Sequence, residues 1–234
     1  MESQSGLPPS LIELDPAVTR PAALPDRIYA TLKHRILTCA MLPSVRIVEK
    51  DLCREMQVSR TPLREALNRL ALEGLVTIAP FRGYAVAPLT IDGFRELCEV
   101  RRILESETAS LCALRANAED ISRLESLAGL HYRWDDRRTY EDYLRANSLF
   151  HQALVRATRN RRLEAMVTGA LDQHQRPLYM GLGVGVDGKA STSEHEEIVE
   201  TIRKRSPAKA RKVMALHITR AEERITGALE AAGY

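Results

Sequence analysis

The sequence predicts a mainly α-helical chain in two parts: a small N-terminal unit of three helices closed by a β-hairpin, then a C-terminal antiparallel bundle of six helices. Three observations carry this expectation. Apolar residues recur at helical spacing through most of the 234 residues. The pattern turns to short β-prone runs only around residues 75–88. Pro88 then separates a basic segment from a nearly neutral one.

Taken in order, residues 1–25 read as a flexible arm with neither a basic leader nor a continuous apolar stretch, so export is not expected. A first helix fits Asp26 to about Cys39, with Ile28, Leu32 and Ile36 on one stripe beside Tyr29 and Leu37. The run LPS at 42–44 breaks it. A short helix over Glu49–Met56, a tight turn at QVS and a longer helix from Arg60 to Glu73, closed by Gly74, follow. LVTIA and YAVAP are then two strands joined by PFRG, where Gly83 supplies the positive φ of a tight turn. Residues 26–88 therefore read as a winged helix-turn-helix. Beyond it, six helices are expected near 91–115, 118–136, 139–157, 160–180, 192–205 and 207–231, interrupted by a Gly-rich stretch at 181–191. Residues 89–234 are read as one all-helical domain.

Composition narrows the function. With 28% charged and 44% hydrophobic residues and no apolar run near the roughly 20 residues that span a bilayer, a cytoplasmic protein with no membrane partner is expected. Cys39, Cys53, Cys98 and Cys112 are scattered without a C-x-x-C pair, which suggests reduced, buried thiols. The net charge is only +3, but residues 26–88 carry ten Lys and Arg against six Asp and Glu, placing the basic excess where a phosphate-binding surface would be useful.

In VSRTPLREALNRLALEGLV, residues Leu63, Ala66, Leu67, Leu70 and Ala71 commit one stripe to packing. Ser59 stands at the N-cap position and Pro62 in the first turn, so the helix begins with its free amides facing outward. Arg60, Arg64 and Asn68 form a row beside the stripe, with Thr61 and Glu65 further round. Arginine pairs bidentately with guanine or phosphate, and asparagine can read adenine. A solvated basic edge fits this helix alone equally well; the preceding short helix, the turn and the following hairpin favour DNA binding.

The stretch LPSVRIVEKDLCREMQVSRTPLREALNRLALEGLVTIAPFRGYAVAP resembles the winged helix-turn-helix of the GntR family of bacterial regulators. The resemblance implies operator contacts from Arg46, Arg60, Thr61, Arg64 and Gly83, with Arg82 a wing contact.

In the second half, Asn147 and His151 are four apart on one helical face. His195 and His217 each lie eleven residues from a turn at Ser206, about 16 Å along their helices, so an antiparallel hairpin sets them face to face. Three imidazoles and an amide oxygen suit zinc, nickel or a similar divalent ion with positions open for a carboxylate. The plainer alternative is a set of unrelated half-buried histidines. The segments EVRRILESETASLCAL, NSLFHQALVRATRN, EHEEIVETI and HI resemble the FadR-like branch of the same family, with its all-helical FCD ligand-binding domain. That resemblance implies Asn147, His151, His195 and His217 as metal ligands and Arg101 as a partner for an effector carboxylate, although a surface ion pair from Arg101 to Glu105 at i+4 explains that residue as well.

The resulting expectation is a regulator without enzymatic activity, a homodimer on an inverted-repeat operator, with repression relieved when the helical domain binds a small organic acid. Two alternatives stay open: a metal-dependent hydrolase, since three histidines with open positions also describe catalytic zinc, and a regulator of the same fold with a metal-free apolar cavity.

Overall fold

The computed structural model of the chain describes residues 23–79, 83–129, 138–184 and 189–233. Helix α1 (Leu24–Leu37) buries Ile28, Leu32 and Ile36 on the expected stripe. Helix α2 (Glu49–Met56) ends in a left-handed Gln57 at φ 55°, and α3 (Arg60–Leu72) buries Leu63, Ala66, Leu67 and Leu70. Ser59 has the extended N-cap backbone, but its hydroxyl makes no capping bond. Gly74 ends α3 at φ +73°, where its N–H donates to Ala71 O at 3.1 Å and that of Leu75 to Leu70 O at 3.0 Å. Those two bonds satisfy carbonyls the helix end would leave open, in a turn that glycine adopts at least cost.

Strands β2 (Val76–Ala79) and β3 (Gly83–Val86) pair antiparallel, with Ala79 opposite Gly83. The expected wing was a lone hairpin. A third strand, β1 (Arg46–Ile47), instead pairs with the free side of β3, giving the order β1-β3-β2. Two residues are too few to show an alternating pattern, which is why spacing did not reveal β1; three strands also give the wing more support than an isolated hairpin has.

The second half contains α4 (Ile91–Arg115), α5 (Ala118–Ala128), α6 (Arg138–Ala157), α7 (Arg161–Gly183), α8 (Lys189–Arg203) and α9 (Pro207–Ala231). Helix α7 runs further and α8 starts earlier than expected, which shortens the Gly-rich interruption. The expected helix over 118–136 is described as far as Ala128, and its remainder from 130 lies outside the described residues. Caps explain several starts: Thr90 Oγ1 accepts from Gly93 N at 3.1 Å, and Asn117 and Asp120 form a reciprocal capping box. Helix α4 packs against α6, α7, α8 and α9. Its buried set therefore includes polar residues such as Arg101, Glu105 and Thr108 beside Phe94, Cys98 and Cys112.

Two large hydrophobic clusters form, one from α1, α2, α3 and the sheet, the other within the bundle around Phe94, Phe150, Leu154, Ile198 and Ile218. All four cysteines are free. Cys98 and Cys112 are buried, and burial pushes both thiols up to about 12, whereas Cys39 and Cys53 are half-buried rather than fully enclosed. No described helix is long and apolar enough to cross a membrane.

Polar contacts from α7 tie the bundle to the N-terminal unit. Lys33 Nζ lies 2.6 Å from Asp172 and 2.8 Å from Glu73. Gln173 donates to Glu73 O at 3.2 Å, and buried Arg176 donates through Nη2 to Ala87 O and Pro88 O at 2.8 and 3.1 Å. Pro177 within α7 removes the N–H that would bond to the carbonyl of Gln173, loosening the helix at the turn that makes these contacts.

Candidate sensory site and DNA interface

His151 on α6, His195 on α8 and His217 on α9 converge. Their side chains are buried, and one ligand nitrogen from each lies within 4.8 Å of the others. The α8/α9 hairpin turning at Ser206 brings His195 and His217 to a ring separation of 4.8 Å, at the common level expected from their spacing. His151 stacks 5.3 Å from His217 and meets His195 edge-on at 5.3 Å. Asn147, one turn before His151, is also buried and lines a small cavity together with His151 and His217.

The protonation chemistry suits a cation. Burial drives His195 well below the ordinary imidazole range, and it takes His217 down to about 4 despite the opposing pull of Glu194. Neutral rings offer lone pairs without proton competition. His217 Nδ1 lies 2.8 Å from Glu194 Oε2, and a bond donated there leaves the lone pair on Nε2. Glu194 is itself held by Arg224 at 2.8 and 3.0 Å. Burial would raise its carboxyl, but the bonds from His217 and Arg224 outweigh that and bring it down to about 2. His195 Nε2 and His151 Nε2 are buried with no hydrogen-bond partner. Buried unpaired nitrogens are costly, and an ion bound among them would relieve that cost. Zinc–nitrogen bonds of about 2.0–2.1 Å require each ring to close in by less than about 1 Å.

Arg101 lines the cavity beside His151 and His217. The ion pair to Glu105 forms, with Nε to Oε1 at 2.6 Å, but it is a buried pair with side chains 1% and 2% exposed. The far oxygen of Glu105 sits 2.5 Å from His151 Nδ1, off the line of a hydrogen bond. Burial alone would raise the Glu105 carboxyl; the charge of Arg101 beside it overcomes that and holds the group well below the usual carboxylate range. Arg101 Nη1 is buried without a partner, and Arg101 lines the cavity together with Tyr143, Asn147, His151, His174 and His217. Both readings of Arg101 are thus compatible: one edge is spent on Glu105 and Nη1 remains. The cavity has a volume of about 10 Å³, room for about one water or ion.

Spacing along the chain did not reveal Glu105 as a buried partner of two site residues, nor Glu194 as the outer partner of His217. Only the i, i+4 spacing to Arg101 pointed toward Glu105.

In the N-terminal unit, Arg60, Thr61 and Arg64 are all exposed on the first turns of α3. Arg64 pairs with Glu49 of α2, Nε to Oε2 at 2.6 Å and Nη2 to Oε1 at 3.2 Å, and Asn68 Oδ1 accepts from Tyr84 of β3 at 2.8 Å. Arg46 is exposed on β1, opposite Ala85. Gly83 starts β3 at φ +80° with open space where a Cβ would stand, so its backbone angle, not crowding, calls for glycine. Arg82 lies outside the described residues.

The comparisons with known proteins agree with this architecture. Residues 24–86 match the family described as bacterial regulatory proteins, gntR family, and residues 96–220 match the FCD domain. The chain is 27% identical to the uncharacterized HTH-type transcriptional regulator YdhC of Bacillus subtilis (strain 168), over 87% of this chain and 92% of that protein. It is 24% identical to the HTH-type transcriptional repressor RspR of Escherichia coli (strain K12), covering 86% of this chain and 88% of that one. The solved structure of E. coli McbR/YncC superposes with a TM-score of 0.70 at 19% identity, covering 88% of this chain and 98% of the other, a likeness of fold.

Proposed function

The chain belongs to the GntR family of bacterial regulatory proteins and carries an FCD domain, and on that premise we propose a metal-dependent repressor released by a small organic acid. Family membership makes it a DNA-binding transcription regulator and not the hydrolase weighed on sequence grounds. The observation that carries the metal reading is the meeting of three buried imidazoles from three helices, with Nε2 of His151 and of His195 left without a partner. His151, His195 and His217, with Asn147 beside them, would hold the ion, and the ion would supply a Lewis-acidic point for a carboxylate. Zinc and nickel fit the nitrogen-rich set. Arg101 Nη1 faces the same need for an anion. The relative RspR, named a repressor, favours repression. A homodimer on an inverted repeat completes the reading, with the bundles joining the two protomers.

The route from cavity to DNA runs through α7. A cavity of about 10 Å³ cannot admit an organic acid until its wall moves. His174 and Leu178 of α7 form part of that wall, while Asp172, Gln173 and Arg176, on the same turns, grip the N-terminal unit. An acid that enters pushes on the turn next to Pro177 and so favours one placement of the DNA-binding heads.

Elemental analysis of protein purified without chelator tests the metal reading. It should find close to one divalent ion per chain, and His195→Ala should carry almost none. Wild-type protein that stays metal-free after incubation with zinc and nickel would leave the metal-free alternative in its place.

A further inference from the structure

Glu49 opens α2, yet its carboxylate is turned to the recognition helix. It grips Arg64 by the side edge of the guanidinium, through Nε and Nη2. That edge is only one of two that an arginine can present. The end edge, Nη1 with the second N–H of Nη2, remains, and two such parallel donors match guanine O6 and N7. The pair is graded in exposure: the Glu49 side chain is 20% exposed and that of Arg64 54%, so the carboxylate stands behind and the guanidinium in front. The hydrogen bond from Arg64, aided by the charge of Arg60, keeps the Glu49 carboxyl below its ordinary range, hence ionised.

Stability does not account for this arrangement, because ion pairs with so much solvent contact contribute little to folding. Affinity does not account for it either. A carboxylate behind a DNA-facing arginine cancels part of the attraction to phosphate. What it supplies is orientation. A phosphate contact tolerates a swinging arginine, whereas reading a base edge requires the guanidinium plane to be held. Asn68, the next residue in the row, is pinned in the same manner, since Tyr84 of β3 donates to its Oδ1 at 2.8 Å and leaves its NH2 to act as donor.

We propose that Glu49 is a specificity-determining positioning residue: it holds Arg64 so that the free end edge of the guanidinium reads a guanine, at some expense in general affinity for DNA. This rests on the reading of α3 as the helix that enters the major groove.

The test uses the full-length protein, with an operator selected by the wild type from random-sequence duplexes and a scrambled duplex of the same length. Affinities are measured by fluorescence anisotropy at fixed salt for the wild type, Arg64→Ala, Glu49→Gln and the double variant, with thermal melts alongside. Arg64→Ala should weaken operator binding by roughly 5- to 150-fold, the range for a lost bidentate base contact. Glu49→Gln should weaken operator binding at least about fivefold while leaving binding to scrambled DNA unchanged or tighter, because a negative charge is gone. In the Arg64→Ala background, Glu49→Gln should cause no further loss on the operator. If Arg64→Ala binds the operator as the wild type does, the groove-reading role of α3 fails and the proposal with it. If Arg64→Ala weakens binding but Glu49→Gln leaves the ratio of operator to scrambled affinity within about twofold, the reader stands and the positioning role is refuted. An equal loss on both duplexes together with a lowered melting temperature would also refute it, by making Glu49 a structural residue.

Discussion

Replacing Glu105 by alanine is a sharp test of how the bundle is built. On a helix surface an i, i+4 pair such as Arg101 and Glu105 would be worth about 0.3–0.5 kcal/mol. Here both side chains are almost wholly enclosed, and Glu105 serves Arg101 at 2.6 Å and lies 2.5 Å from His151. Glu105→Ala would leave a buried guanidinium with neither Nε nor Nη1 paired. Removing one partner of a buried pair costs about 3–5 kcal/mol, because the surviving charge keeps its desolvation penalty. The assay is urea unfolding of metal-stripped protein followed by circular dichroism, with Arg101→Met/Glu105→Leu as control. That double variant replaces both charges with apolar groups of similar size and should recover most of the loss. A loss below about 1 kcal/mol for Glu105→Ala, the level of an exposed pair, would refute the claim that this pair is part of the core.

Other outcomes follow from the same contacts. Asn147→Asp should raise affinity for zinc, measured by competition with a chromophoric chelator, since a carboxylate binds a divalent ion better than an amide does; weaker binding would remove Asn147 from the ligand set. Operator affinity should fall steeply with salt and require two half-sites, and a flat log–log slope, or equal affinity for a single half-site, would contradict the dimeric electrostatic grip. Asp172→Asn cuts the 2.6 Å link to Lys33. It should change the ratio of operator Kd with and without effector by about 2- to 30-fold, the range seen for residues that carry coupling; an unchanged ratio would take this contact out of the route.

How much of this was legible in the sequence depended on whether the signal was periodic. Helices α2 and α4 span the residues that apolar spacing and the flanking breaks predict, because an amphipathic helix writes its buried face into every third or fourth residue. The opposition of His195 and His217 could be read from equal distances to the turn at Ser206, since helix rise is constant. Pairings across elements were not readable. The two-residue β1 carries no pattern of its own. Glu105 looked like a surface partner of Arg101 because α4 is enclosed by four other helices, and a helix buried on several faces loses the polar side that would mark its exposure. The grip of Glu49 on Arg64 spans 15 residues and two helices, a separation at which charge complementarity is only one of many options.

The state of the cavity should set the affinity for DNA. The most direct measurement is the operator Kd of one metal-loaded preparation, by anisotropy, with and without a saturating short-chain carboxylate found by thermal shift. A coupling of about 1–3 kcal/mol predicts a change in Kd of roughly 5- to 150-fold. A carboxylate that binds at the three-histidine site, lost in His217→Ala, yet leaves the operator Kd unchanged would contradict it.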